Sequence, residues 1–183
     1  MKKRYVFIRY FVVLALLALL AACASTPKQE SAGQYLDDSI ITTKVKALLA
    51  KDDALKAFDI NVKTYKGVVQ LSGFVDSQAT VDKAGKIANS VSGIKSVKND
   101  LLVSESKKGS AGEYLDDSVI TTKVKAVLAK DEVLKAFDIN VKTDMGIVQL
   151  SGFVDSQATV DKAGVLASGV SGVKAVKNNL IVK

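Results

Sequence analysis

The chain has 183 residues, with 26 lysines and arginines against 19 aspartates and glutamates, and a formal net charge of +7 at pH 7. Four of the basic residues lie within the first 22 positions, so the remainder has 22 basic against 19 acidic residues. This even mixture disfavours nucleic acid as a partner, because nucleic-acid binding requires a clustered basic surface. The sequence has no histidine and one cysteine, which excludes histidine-based catalysis, histidine-ligated metals and an internal disulfide. We therefore expect no enzyme activity, no cofactor, no metal and no small-molecule substrate.

Residues 1–22 have the pattern of a secretion signal. A basic start, Met1–Arg4, precedes an uninterrupted apolar stretch of 13 residues, Tyr10–Ala22. A membrane-spanning helix needs about 20 apolar residues, so this stretch has the length of a cleaved signal peptide. The sequence Leu-Ala-Ala-Cys ending at Cys23 resembles the lipobox of bacterial lipoproteins. The resemblance implies that Cys23 carries a diacylglyceryl group; the alternative is an inert thiol at the end of a membrane helix.

The residues after Cys23 indicate where the lipid anchor would be held. Ala24 and Ser25 follow it, with no aspartate directly after the cysteine. By resemblance to enterobacterial lipoproteins, this implies the periplasmic face of the outer membrane. Residues 23–34 contain Pro27, the only proline, among small and polar residues, which predicts a flexible tether.

The rest of the chain consists of two copies of one sequence unit. An offset of 79 aligns residues 31–104 with residues 110–183 without a gap, and 57 of the 74 pairs are identical. This period is too long for a solenoid repeat of about 20–50 residues. We therefore predict two small domains, here called repeat 1 (residues 35–104) and repeat 2 (residues 113–183), joined by a polar linker (residues 105–112).

Each repeat has the pattern helix, strand, strand, helix, strand. The first helix is predicted from apolar residues at helical spacing, Ile41, Val45, Leu48 and Leu49. Its candidate N-cap residues are Asp37, Asp38 and Ser39. Period-2 alternation predicts a strand over 58–64, a turn at Gly67 and a second strand over 68–75. Ser77 can cap the second helix, and the unit ends with a strand over 97–103.

This order defines the fold class as α+β. Because a strand-helix-strand crossover is right-handed, each repeat should form a three-stranded mixed sheet with two helices on one face. Glycines at the turn, inside the second strand and inside the second helix are assigned structural roles. They are Gly67, Gly73 and Gly85 in repeat 1 and Gly146, Gly152 and Gly164 in repeat 2.

The α-β-β-α-β unit resembles the BON domain. The resemblance is carried by residues 68–75 in the hairpin, residues 82–85 in the second helix and residues 93–99 before the last strand. Two tandem copies behind a lipobox resemble the dual-BON envelope lipoproteins. The resemblance implies a non-enzymatic protein that contacts membrane phospholipid, with anionic headgroups as candidates, and supports outer-membrane integrity. It also implies an alternative, a periplasmic chaperone or scaffold that binds envelope proteins.

Lysines beside the apolar residues of the first helices are the candidate membrane-binding residues, because such lysines can reach headgroups while their stems cover hydrocarbon. In repeat 1, Lys44 and Lys51 flank the apolar stripe and Lys46 lies on another side of the helix; Lys123, Lys130 and Lys125 are the equivalent candidates in repeat 2. The alternative is that the helices pack on the sheets and these lysines are merely solvated. The repeats differ at the hairpin turn and the end of the second helix, so we expect them to bind unequally.

Overall fold

A computed structural model of the chain describes residues 32–104 and 111–183. The signal segment, Cys23 and most of the tether and linker lie outside the described residues. Residues 33–183, which contain both repeats, form one compact unit. No helix within the described ranges is long and apolar enough to cross a membrane.

Repeat 1 contains two helices and three strands. The first helix, α1, spans Ala32–Lys51, and the hairpin strands are β1 (Asn61–Tyr65) and β2 (Val68–Val75). The second helix, α2, spans Gln78–Asn89, and the last strand, β3, spans Ser96–Val103. As expected, Ser77 is the N-cap of α2, since its side chain accepts a hydrogen bond from the backbone N–H of Thr80.

Repeat 2 has the same order of elements, with an additional short 3₁₀ helix. The elements are α3 (Ala111–Lys130), the 3₁₀ helix (Leu134–Ala136), β4 (Asn140–Asp144), β5 (Ile147–Val154), α4 (Gln157–Ser168) and β6 (Ala175–Val182).

Each repeat has its own mixed sheet, with the second strand in the middle. In repeat 1, β2 pairs antiparallel with β1 and parallel with β3. In repeat 2, β5 pairs antiparallel with β4 and parallel with β6. The predicted fold class is thus confirmed, two tandem three-stranded mixed sheets with helices.

The hydrophobic core of each repeat lies between its helices and one face of its sheet. In repeat 1, Val45 of α1, Ala84 and Ala88 of α2 and Leu71 of β2 are all fully buried. The equivalent residues of repeat 2 form a second, separate cluster. The two clusters share no residue, so each repeat has a core built from its own side chains.

The first helix differs from the sequence-based prediction at both its start and its apolar face. It begins at Ala32, inside the predicted tether, so Asp37, Asp38 and Ser39 lie within the helix and are not its N-cap. Leu48 is also not part of the core, because it is 39% exposed. The first strand begins at Asn61, three residues later than predicted, because residues 52–58 form turns and bends after α1.

The middle strands are buried on both faces, which sequence alternation did not predict. Gln70 and Ser72 of β2 are 1% and 0% exposed although they point away from the helices. They are covered by the sheet of repeat 2, where Gln149 and Ser151 are equally buried. The two sheets therefore pack face to face, and their helices lie on the outside.

Candidate functional site

The helix face that points away from the core of repeat 1 combines exposed apolar and basic side chains. Leu36 and Ile40 are 61% and 51% exposed, and the exposed residues Lys44 and Lys51 follow at helical spacing. We call this surface, completed by the exposed Ala47, the α1 outer face. Because Val45 on the opposite side is fully buried, the helix is fixed with this face toward solvent.

Repeat 2 presents the equivalent surface on α3. Val119 is 50% exposed and lies one turn before the exposed Lys123, with Ala126 and Lys130 on the same side. We call these four residues the α3 outer face. Val124 is fully buried on the core side of the helix, which sets the orientation as in repeat 1.

Lys46 and Lys125 lie on another side of their helices. Lys46 is exposed and lines a small groove with Leu55 and Phe58, away from Leu36 and Ile40. Lys125 occupies the equivalent position in repeat 2 and is also exposed. The apolar stripe on which the prediction rested packs on the sheet, since Ile41, Val45 and Leu49 are buried. Lys44 and Lys51 lie instead beside the exposed Leu36 and Ile40.

Each first helix is held by a carboxylate on its inner side. Asp38 is only 5% exposed and accepts hydrogen bonds from the backbone N–H groups of Lys66 and Gly67, the latter at 2.8 Å. In repeat 2, Asp117 accepts bonds of 2.8 Å from Met145 N and Gly146 N. The hairpin turn thus fixes the rotation of the helix, and with it the direction of the outer face.

The end of each first helix is tied to the second helix by an ion pair. Lys83 Nζ lies 2.7 Å from Asp52 Oδ1, and Lys162 Nζ lies 2.8 Å from Asp131 Oδ2. The hydrogen bond from Lys83 lowers the pKa of Asp52 below its ordinary value of 3.8. The bond from Lys162 does the same to the pKa of Asp131.

A further polar feature of the described residues is a groove at the hairpin turn of repeat 2. This groove of about 270 Å³ lies beside α3, lined by residues that include Asp116, Lys123, Met145 and Lys174. It is an open depression at the hairpin turn, and it adjoins the α3 outer face through Val119 and Lys123. No group of three or more potential metal-ligating residues occurs among the described residues.

The comparisons with known proteins give the family. The BON domain family matches residues 37–105 and residues 116–183, so the chain belongs to this family and has two BON domains. It is 48% identical over 151 residues to osmotically-inducible protein Y of Escherichia coli, covering 82% of this chain and 75% of that protein. It is 36% identical over 160 residues to the outer membrane lipoprotein DolP of Haemophilus influenzae, covering 87% and 80%.

Two further similarities carry less weight. The chain is 34% identical over 147 residues to a 21 kDa hemolysin of Actinobacillus pleuropneumoniae, covering 80% of this chain and 74% of that protein. A solved structure of the C-terminal domain of CdsD, a type III secretion protein of Chlamydia trachomatis, matches with a TM-score of 0.33 and 15% identity, covering 80% of this chain and 67% of that one. At that level the likeness supports no argument. DolP, by contrast, is named as a lipoprotein of the outer membrane, which supports an envelope location for proteins of this type.

Proposed function

We propose that this protein is a non-enzymatic, lipid-anchored protein of the outer membrane, at its periplasmic face, that supports membrane integrity by contacting phospholipid surfaces. The α1 and α3 outer faces make the contact, and Cys23 carries the anchor. The observation that carries the proposal is the exposure of Leu36 and Ile40 beside Lys44 and Lys51 on a helix whose other side is fully packed. Apolar side chains flanked by lysines are suited to the boundary between headgroups and acyl chains.

The packing of the sheets supports the assignment to the helices. Each sheet has one face against its own helices and the other against the second sheet, so neither face is open to a membrane. The net charge of repeat 1 is +2 and that of repeat 2 is zero, so attraction to an anionic surface has to come from local groups of lysines. The outer faces provide such groups.

The test is flotation of the chain Ala24–Lys183, which keeps every described residue and lacks Cys23, with anionic or zwitterionic vesicles at low and moderate salt. We expect salt-sensitive flotation with the anionic vesicles. Each well-placed lysine contributes about 1 kcal/mol near an anionic surface. Changing Lys44 and Lys51 to glutamine should therefore reduce vesicle partitioning by roughly 30-fold in repeat 1 alone.

The structure offers a matched control on the same helices. Lys46→Gln with Lys125→Gln removes the same number of charges from sides that carry no exposed leucine or isoleucine. This variant should float nearly as the unaltered chain does. Equal losses in both variants would show a general charge effect and would contradict the assignment to the outer faces.

A protein-binding scaffold or chaperone is the second candidate function. The sheet order leaves β1 and β3 of repeat 1, and β4 and β6 of repeat 2, with one outer edge each. An exposed strand edge is a template for binding an extended segment of another protein. Failure of Ala24–Lys183 to float with any vesicle would favour this candidate and leave membrane contact to Cys23.

A further inference from the structure

The contact between the two sheets has the symmetry of a homodimer interface within one chain. Gly73 N donates a 2.8 Å hydrogen bond to Gln149 Oε1, and Gly152 N donates a 2.8 Å bond to Gln70 Oε1. On the axis between them, the hydroxyl oxygens of Ser72 and Ser151 are 2.7 Å apart. Each contact thus occurs twice with the repeats exchanged, which is the arrangement of an isologous interface.

The ion pairs at the rim follow the same symmetry. Lys63 of repeat 1 pairs with Asp138 of repeat 2, and Lys142 of repeat 2 pairs with Asp59 of repeat 1. Lys63 and Lys142 are equivalent in the two repeats, as are Asp59 and Asp138. Each repeat therefore presents the same donors, acceptors and charges at the same places, and each sheet face is nearly complementary to a copy of itself.

Separation of the repeats would open neither hydrophobic core, although it would break the contact between the rings of Tyr65 and Phe153, whose centres are 5.4 Å apart. The hydrophobic clusters of the two repeats share no residue, and the central contacts between the sheets are hydrogen bonds of glutamine, serine and backbone groups. Interfaces of this polar kind resemble those of transient complexes.

Residues near the symmetry axis that differ between the repeats favour pairing of repeat 2 with itself. Asp100 of repeat 1 corresponds to Asn179 of repeat 2, and their carbonyl oxygens accept from Gln149 Nε2 and Gln70 Nε2, both at 2.6 Å. Gln70 Nε2 also donates a 2.8 Å bond to the Asp100 carboxylate of its own repeat, so a pair of repeat 1 faces would place a negative charge beside each of the two glutamines near the axis, and like charges repel. Two repeat 2 faces would bring together neutral Asn179 side chains.

Residues at the ends of the strands also differ between the repeats, and these differences also concern the pairing of repeat 2 with itself. Ser104 Oγ donates a 2.7 Å hydrogen bond to Asp144 Oδ2, and Lys183 Nζ lies 5.0 Å from the centre of the Tyr65 ring. Ser104 and Lys183 are equivalent, as are Tyr65 and Asp144. In a pair of repeat 2 faces, Asp144 of each would therefore meet Lys183 of the other, and two ion pairs would replace the contacts of Tyr65 with Phe153 and Lys183.

We propose that the sheet face of repeat 2 is a docking surface for a second copy of this chain, which binds there through its own repeat 2 when the pairing within the chain is opened. We call the chain closed when its two repeats pair with each other, as in this structure. Gln149, Ser151 and Gly152 make the same hydrogen bonds across the interface in the closed chain and in the dimer. The closed chain holds its two faces at high effective concentration, which keeps it monomeric.

The first test opens the closed chain by charge reversal in repeat 1 of Ala24–Lys183. Asp59→Lys with Lys63→Asp places like charges opposite Lys142 and Asp138, while two repeat 2 faces keep their own ion pairs. We expect this variant to sediment as a dimer at high concentration, whereas the unaltered chain is a monomer. Reversing Asp138 and Lys142 as well should restore the monomer, because every pair within the chain is again of opposite charge.

The second test identifies the paired faces by a cysteine on the axis. In the charge-reversed background, Ser151→Cys should form an interchain disulfide roughly tenfold faster than Ser72→Cys, because a pair of repeat 1 faces places two Asp100 charges near the axis. Asp100→Asn should raise the Ser72→Cys rate, and Asn179→Asp should lower the Ser151→Cys rate. A charge-reversed chain that stays monomeric, a fourfold-reversed chain that dimerises equally, or equal rates for the two cysteines would each overturn the proposal.

Discussion

The carboxylate of Asp38 accepts a 2.8 Å hydrogen bond from the backbone N–H of Gly67, which joins the inside of the first helix to the hairpin turn of the same repeat. The turn needs this partner because Lys66 and Gly67 both have positive φ, +50° and +80°, and their N–H groups point into the protein. Asp117 makes the same contact in repeat 2 with Gly146. The helix and the sheet are therefore locked together by a polar contact at the edge of the core.

Replacing Asp38 with alanine should destabilise the chain substantially. The substitution removes the buried acceptor that binds the backbone N–H groups of Lys66 and Gly67, and we expect a loss of about 2–3 kcal/mol in the free energy of unfolding. Urea denaturation of Ala24–Lys183 measures it. The matched control is Asp37→Ala, which removes an exposed neighbour and should change stability by less than about 0.5 kcal/mol. Equal effects of the two substitutions would contradict the role of Asp38.

The ion pairs Asp52–Lys83 and Asp131–Lys162 predict how the free energy of unfolding depends on pH. The pKa values of both aspartates are lowered in the folded protein, chiefly by the lysine hydrogen bonds. The stabilisation from a lowered carboxyl pKa is fully present above the unfolded-state value near 3.8 and is lost as the pH falls through the folded-state value. The free energy of unfolding should therefore decrease below about pH 4.

The contribution of each pair can be isolated by substitution. Lys83→Met should raise the pKa of Asp52 toward its ordinary value, and carboxyl NMR titration would show the shift directly. Lys86→Met, an exposed change one turn further along the same helix, is the control and should leave Asp52 unaffected. An unchanged Asp52 titration in the Lys83 variant would show that another group holds its pKa low.

Much of the fold within each repeat could be predicted from the sequence, because it follows from local signals. Alternation, helical spacing and the turn glycine indicated the order of elements, and Ser77 was identified as a cap from its position before a helical segment. The start of α1 could not be predicted in this way. Asp38 looks like a helix-capping residue, and only the packed structure shows that it accepts from a distant hairpin turn.

The pairing of the two sheets was not predicted for a different reason. Gln70 and Ser72 alternate with apolar residues in β2, a pattern that is typical of a strand with one side in water. What covers that side is the second repeat, and the internal duplication was the one available signal that a self-complementary pair could form. All six candidate lysines are exposed, which is expected both for membrane-binding residues and for lysines that are merely solvated, so the membrane-binding site stays a prediction.

Gly73 cannot be replaced by alanine without strain. Its φ of +131° is unfavourable for any residue with a Cβ, and a Cβ built there would lie 2.8 Å from the carbonyl oxygen of Asp59. We expect Gly73→Ala to lower the free energy of unfolding by about 2–3 kcal/mol, as measured by urea denaturation. Gly33→Ala is the control, because nothing lies within 4 Å of its added Cβ and the residue is helical. The control should be neutral or slightly stabilising, and similar losses for both would contradict the close-approach argument.

Gln149→Ala should weaken the contact between the repeats more than it weakens repeat 2 itself. Gln149 is 1% exposed, accepts from Gly73 N at 2.8 Å and donates to the Asp100 carbonyl at 2.6 Å, both across the sheet pair. Removing it leaves a buried N–H and a buried C=O without these partners, which costs about 1–3 kcal/mol. Because the two cores are separate, the loss should appear as faster hydrogen exchange of the Gly73 amide, while amides within the core of repeat 2 stay protected from exchange.

The control for this prediction is Gln157→Ala in α4, which removes an exposed glutamine of the same repeat that bonds only to Asp161 among the contacts described. It should leave exchange at Gly73 unchanged. If Gln149→Ala instead lowered protection throughout repeat 2 as much as at Gly73, the two repeats would unfold as one cooperative unit. The contact between the sheets would then be part of global stability, and the chain would open only by unfolding.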